Sequence, residues 1–362
     1  MSVTIDVTGL SRDDYRFEPS ALAELGSALH LLAEPAHHPT RGGWVAAVTA
    51  GTDAAVLDRI VQLDYLWRTS RSDLFLPSAP SAKLADELDA VDRLSDEVWV
   101  NAALITSSCG TVPLHRDLGS PLVDERARAL ARERASARGS RQSAFVDFVL
   151  EQPAKARTEV RTILEDCDRE FFSRAWQKIQ VDLSADARLK RDMLGAFGLE
   201  RALTAVSPSV SLSERGDRIV VDKLQDSGTS AVGSGVTFLP SVFGHPHLMV
   251  VHAPGWSPVI QYPAAAAPLT DVVSLDEVQS RLRALDHPTR LRLARSLIRG
   301  QRTTADLAET WNLSAPEVSR HLAALKEAGI VTSARSGRYV LYELDQDAVA
   351  RFGLDLLEAL LR

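Results

Sequence analysis

Apolar positions recur at helical spacing through most of the first half of the chain. After Phe17-Glu-Pro-Ser, the residues Leu22, Leu25, Leu29 and Leu32 mark one side of a helix. Helical spacing returns from Asp53 to about Leu66, from Ala82 to Val100 as one or two helices, from Val123 to Ala137, from Phe145 to Leu150 and from Val160 to Lys178. Leu183 to Leu199 reads as a further helix pair or a broken helix. Val3 to Thr8 alternates and predicts a strand, and His37-His38-Pro39 to Gly43 predicts a turn. Later the period shortens. Arg218–Lys223, Val236–Leu239, Leu248–Ala253 and Pro258–Tyr262 are β-rich runs separated by Gly and Pro, which predict a small antiparallel sheet. Pro263 to Asp271 has the composition of a linker, and Ser274-Leu-Asp-Glu277 is a capping box that opens another helical region.

The most strongly patterned stretch follows. Ser314 caps a helix with Glu317 three residues on, Pro316 sits in its first turn, and Gly329 ends it. Val318, Leu322 and Leu325 form its apolar stripe, while Pro316, Ser319, Arg320 and Ala323 leave the opposite face slim and cationic. Alone, such a helix is equally an ordinary surface helix. Its flanks decide: Thr303 to Trp311 reads as a shorter helix capped by Thr303 and Asp306, Asn312-Leu313 is the turn, and the two helices make a helix-turn-helix. Val331 to Leu344 then reads as two strands around Arg335-Ser336-Gly337-Arg338, a hairpin with a basic tip, as in a wing.

The segments Leu285–Leu293, Ala305–Ala308, Val318–Leu322, Leu325–Val331, Gly337–Tyr339 and Tyr342 resemble, in order and spacing, the ArsR-type winged-helix repressors. The resemblance covers residues 272–362. It implies that this region is a winged helix-turn-helix that binds DNA and dimerises; with the patterns above, the chain reads as α+β, a mostly helical N-terminal body (1–265, β-rich over about 206–263) in a sensing or interaction role followed by this domain. The layout also resembles a group of actinobacterial regulators whose N-terminal domain has no assigned function, through Phe238–Phe243, Pro246-His247 and Pro258–Pro263.

Charge bears on this reading mainly through its distribution. The net charge is −7, yet residues 281–340 hold 11 Lys and Arg against 5 Asp and Glu, about +6 on the proposed reader. A basic reader on an acidic body suits phosphate binding with the body held off the DNA. No apolar run approaches a membrane span, no secretory signal is evident, and Cys109 and Cys167 stand far apart; these features predict a cytoplasmic protein.

Candidate chemistry is sparse. Members of the resembled family bind metals through cysteines on the first helix of the helix-turn-helix or Asp/His pairs on the last helix. Here Thr304–Ala308 has no Cys and Asp347–Arg362 no His, so no metal sensing is expected. His245, His247 and His252 have poor ligand spacing, and His37-His38 is read as a turn pair. Gly228–Gly235 lacks the Lys-Ser/Thr of a P-loop and is read as a flexible turn; no hydrolase or metalloprotease motif is present and no cofactor is expected.

The reading is a sequence-specific regulator of repressor type, binding double-stranded operator DNA as a homodimer, with a small-molecule effector left open. Arg302, Thr303, Arg335 and Arg338 are assigned to phosphates, and Ser319 and Arg320 to base edges, with Ser314, Ala315, Pro316, His321 and Lys326 around them. His321 is read equally as a phosphate contact or as packing beside the hairpin. Val278, Leu282, Leu285, Val349, Phe352, Leu356 and Leu360 are assigned to the dimer face. The alternative is an enzyme or small-molecule-binding body with the winged helix as a regulatory appendage.

Overall fold

The computed structural model describes residues 2–38, 41–68, 71–108, 119–223, 227–251, 256–264, 274–298, 300–336 and 339–361. The chain forms two compact units, residues 1–269 and 270–361.

The first unit opens with strands β1 (Ser2–Asp6) and β2 (Tyr15–Phe17). Helices follow: α1 (Ala21–Ala33), α2 (Gly42–Gly51), α3 (Ala54–Gln62), α4 (Leu84–Asp92), α5 (Asp96–Ser108), α6 (Glu125–Ser136), α7 (Ser140–Glu151) and α8 (Pro153–Cys167). A π-helical turn at Asp168–Phe172 joins α8 to α9 (Ser173–Phe197), and α10 (Leu199–Val206) comes next. Strands β3 (Val210–Leu212), β4 (Arg218–Asp222), β5 (Ser227–Ser230), β6 (Val236–Ser241), β7 (Met249–Val251) and β8 (Val259–Pro263) complete the unit.

Several elements differ from the sequence reading. Leu183–Phe197 is the unbroken second half of α9, whose interior contains no Pro to stop it, and the break expected in Leu183–Leu199 falls only at Gly198, φ 82°, before α10. Helix α2 begins at Gly42, at the end of the expected His37–Gly43 turn, in a stretch to which no helix was assigned. The β segment is not one antiparallel sheet but two four-stranded mixed sheets, ordered β3-β4-β1-β5 and β2-β6-β8-β7. Each takes a strand from the N-terminus: β1 runs parallel to β5, and β2 parallel to β6. Gly228 therefore lies in a strand rather than a flexible turn, and a side chain there would press on Thr4. The predicted alternation of β1 holds, with Val3 and Ile5 buried.

Helix α1 is enclosed on all sides, with every residue from Ala21 to Leu31 buried. Its leucines join the large helical core with Trp67, Phe75 and Trp99. Its polar side chains must then be satisfied inside the protein. Glu24 accepts from the backbone N–H groups of Val242 (2.8 Å) and Phe243 (2.7 Å) and from the Ser241 hydroxyl (2.5 Å). Burial raises the Glu24 carboxyl above its ordinary range, against these bonds. Arg71, also buried, donates to Ser27 and to Gln261 Oε1 (2.6 Å). A second polar group joins Lys190, Asp186 and Tyr262, whose hydroxyl donates to Asp186 Oδ2 at 2.8 Å.

The second unit comprises α11 (Leu275–Leu285), α12 (Pro288–Leu297), β9 (Arg302–Thr303), α13 (Thr304–Trp311), α14 (Ala315–Glu327), β10 (Val331–Ser336), β11 (Tyr339–Leu344) and α15 (Gln346–Leu361). Its core is Leu293, Leu297, Leu307, Val318, Leu322, Leu325, Ile330, Val331 and Leu344. The three strands form a sheet ordered β10-β11-β9.

Candidate nucleic-acid interface

The reader is built from short-range rules that the sequence states openly. The Thr303 hydroxyl accepts from the Asp306 N–H at 3.2 Å, and the Asp306 carboxylate accepts from the Thr303 N–H at 2.9 Å, closing the predicted box on α13. Asn312 ends that helix in the left-handed conformation, φ 51° and ψ 49°. The Leu313 N–H donates back to the Ala308 carbonyl at 3.0 Å, and the Asn312 N–H to that of Glu309 at 3.4 Å, a Schellman closure. The Ser314 hydroxyl then accepts from the Glu317 N–H at 3.3 Å to start α14. The expected return bond from the Glu317 carboxylate is not among those formed at this cap.

The faces of α14 divide as its period requires. Val318, Leu322 and Leu325 are fully buried. Ala315, Pro316, Ser319, Arg320 and Ala323 are exposed on the opposite side, with the Ser314 cap beside them. Arg302 is exposed at the start of the sheet, and Arg335 is exposed on β10 near the tip of the hairpin. Arg338, Gly337 and the side chain of Ser336 lie outside the described residues. The hairpin register, Val331 opposite Leu344 through Ser336 opposite Tyr339, projects the wing from the end of α14.

Other assigned residues are engaged inside the fold. Lys326 donates to the Ser333 hydroxyl at 2.7 Å, tying α14 to the wing. The His321 ring packs 4.6 Å from that of His287, the residue capping α12. Desolvation lowers the His321 pKa, and His287 adds to this. Trp311 packs on the core and donates to the Ser296 hydroxyl at 3.0 Å, with the Arg292 guanidinium over its ring.

Helix α15 lies along α11 within the same chain, where Arg281 bonds the buried carboxylate of Asp355 at 2.5 Å. Val278, assigned to the dimer face, is 0% exposed within the protomer and presents nothing to a partner. Leu285, Phe352 and Leu356 are half-buried, whereas Leu282 (44%), Val349 (39%) and Leu360 (64%) remain exposed. The first unit gathers His37 and His247 with His30, which the sequence reading passed over. His252 and Cys109 lie outside the described residues, and Cys167 is a buried thiol pushed well up by desolvation.

A capped pair of helices, with β9 before it and the β10–β11 hairpin after it, makes a winged helix-turn-helix. Residues 287–333 match the bacterial regulatory protein, arsR family. Residues 1–268 match a family of unknown function, DUF5937, and the chain belongs to that family. The chain is 42% identical over 81 residues to the HTH-type transcriptional repressor SmtB of Mycobacterium tuberculosis, covering 22% of this chain and 60% of the relative. It is 38% identical over 84 residues to the biofilm growth-associated repressor of Agrobacterium fabrum, covering 23% and 68%. A solution structure of the homodimeric winged helix-turn-helix domain of a possible ArsR-family regulator from Mycobacterium bovis is 30% identical, covers 22% of this chain and 75% of its own, and has a TM-score of 0.21. The chain thus spans about 60% of the length of the first of these relatives. Among the described residues, no helix is long and apolar enough to cross a membrane.

Proposed function

We propose that this protein is a DNA-binding transcriptional repressor whose second unit reads a near-palindromic operator as a homodimer. The observation that carries the reading is the exposed face of α14, where Ala315, Pro316, Ser319 and Arg320 are small or cationic and project away from the core. A helix of 13 residues, roughly 20 Å long, with so slim a face suits the major groove. Ser319 and Arg320 reach base edges, and Arg302, Arg335 and Arg338 hold phosphates. Thr303 serves first as a cap, and Lys326 and His321 first as packing. Leu282, Val349 and Leu360 form the dimer face, with Leu285, Phe352 and Leu356 behind them. The first unit carries a sensing or interaction role rather than an enzymatic one. The test is a mobility-shift titration of the full-length protein against its own promoter region at low and moderate salt. Retarded, sequence-selective complexes are expected; binding no tighter to that region than to random DNA would overturn the reading.

A further inference from the structure

We propose that the first unit holds a transition-metal site built from His30, His37 and His247, with His38 beside them. The residues come from three places: His30 near the end of α1, His37 and His38 from the turn after it, and His247 from the segment between β6 and β7. One ring nitrogen from each of His30, His37 and His247 lies within 4.8 Å of the others. His30 Nε2 and His247 Nε2 are already 3.1 Å apart. Tetrahedral ligation at about 2.0–2.1 Å puts ligand nitrogens roughly 3.3–3.4 Å from one another, so closure needs movements on the order of an ångström. The His38 ring centroid stands 5.3 Å from that of His30 and 5.0 Å from that of His247.

The second shell points the same way. His30 Nδ1 faces the Trp67 carbonyl at 2.8 Å, and His38 Nδ1 faces the His245 carbonyl at 2.6 Å. Each carbonyl can only accept, so each Nδ1 carries the proton and each Nε2 keeps a lone pair. That is how proteins orient imidazoles for a metal. The His38 Nε2 and His37 Nδ1 atoms are buried with no hydrogen-bond partner among the described residues. Buried polar atoms without partners are uncommon and call for an explanation. Without a metal, the 3.1 Å contact between two ring nitrogens requires His247 Nε2 to be the donor; metal binding moves that proton to Nδ1.

Charge helps identify the ligand. The Nδ1 protons of His30 and His38 are held by backbone carbonyls, so both rings present a lone pair at Nε2. Arg71 opposes any bound cation, offset by Glu24 in the same buried network. Nitrogen ligands without a carboxylate favour zinc, nickel, cobalt or copper over magnesium or calcium. The site lies outside the winged helix and shares no residue with the positions where the resembled repressors bind metal.

The test uses untagged full-length protein stripped with chelator and titrated with Zn²⁺ and Co²⁺ separately. One ion per chain is expected, with visible d–d bands of tetrahedral Co²⁺ and an increase in the melting temperature of the first unit that grows with free metal. His247→Gln and His37→Gln should each abolish stoichiometric binding; His37 lies on a partly exposed turn, so that variant guards against misfolding. His38→Gln should weaken binding about 10–100-fold. His321→Gln, in the other histidine pair, should bind as the parent does. Absence of stoichiometric metal in folded parent protein, or parent-like affinity in both His37→Gln and His247→Gln, would overturn the proposal. DNA binding is scored separately, so neither result decides the other.

Discussion

The turn between α13 and α14 rests on Asn312, the one non-glycine residue with positive φ among the described residues. Its φ of 51° and ψ of 49° lie in the left-handed well, which costs most residues with a Cβ about 1–2 kcal/mol. Asn pays less than most, because its short polar side chain tolerates that well. Asn312→Gly should therefore change little, since relief of strain is offset by about 0.4–1 kcal/mol of extra unfolded-state entropy. Asn312→Ala should cost about 1 kcal/mol. Asn312→Val, β-branched, should cost about 2 kcal/mol, because it must keep the strain or give up the returns to Ala308 and Glu309. A cost of 2 kcal/mol is roughly a 30-fold change in the local opening equilibrium. Hydrogen exchange read by mass spectrometry on peptides spanning α13 and α14 measures it, with peptides from α1 as the internal reference. The expected order of protection is Gly and Asn, then Ala, then Val, with operator affinity falling in the same order as α14 loses its fixed angle. Equal protection in the Val and Gly variants would refute the argument that backbone strain at this turn sets the geometry of the reader.

Arg320→Ala should cost about 1–3 kcal/mol on the preferred operator and flatten discrimination among sites; an equal loss on every sequence would reassign it to the phosphates. Arg335→Ala should instead weaken all DNA alike and reduce the slope of log affinity against log salt by about 0.9, measured by titration over a range of salt. Leu282→Asp with Leu360→Asp should shift light scattering from dimer to monomer while leaving the circular dichroism of the unit intact; a dimer of unchanged mass would remove this face from the interface. Tyr262→Phe removes the hydroxyl that donates to buried Asp186 and should destabilise the first unit by about 1–3 kcal/mol in denaturant unfolding, with no effect on DNA affinity at low temperature.

The winged helix was legible in the chain because each of its decisions is local. Thr303 with Asp306, Ser314 with Glu317, Asn312 at the turn and Gly329 at the end act over a few residues, and the Val318, Leu322 and Leu325 stripe announces which face is buried. The resemblance to ArsR-type repressors was carried by those same short motifs. Three things depended on tertiary structure. The sheets recruit β1 and β2 from the far end of the chain, a pairing that the alternation of a single strand does not encode. Val278 became core because α15 returned onto α11, which sets the boundary between inside and interface. The polar side of α1 is buried together with its leucines, so Glu24, Ser27 and His30, three residues apart on one face, point into the protein and not into water. Their spacing was visible, but helical periodicity treats a polar face as solvated. Only the fold, by folding the segment that follows β6 onto the end of α1, turned scattered histidines into neighbours.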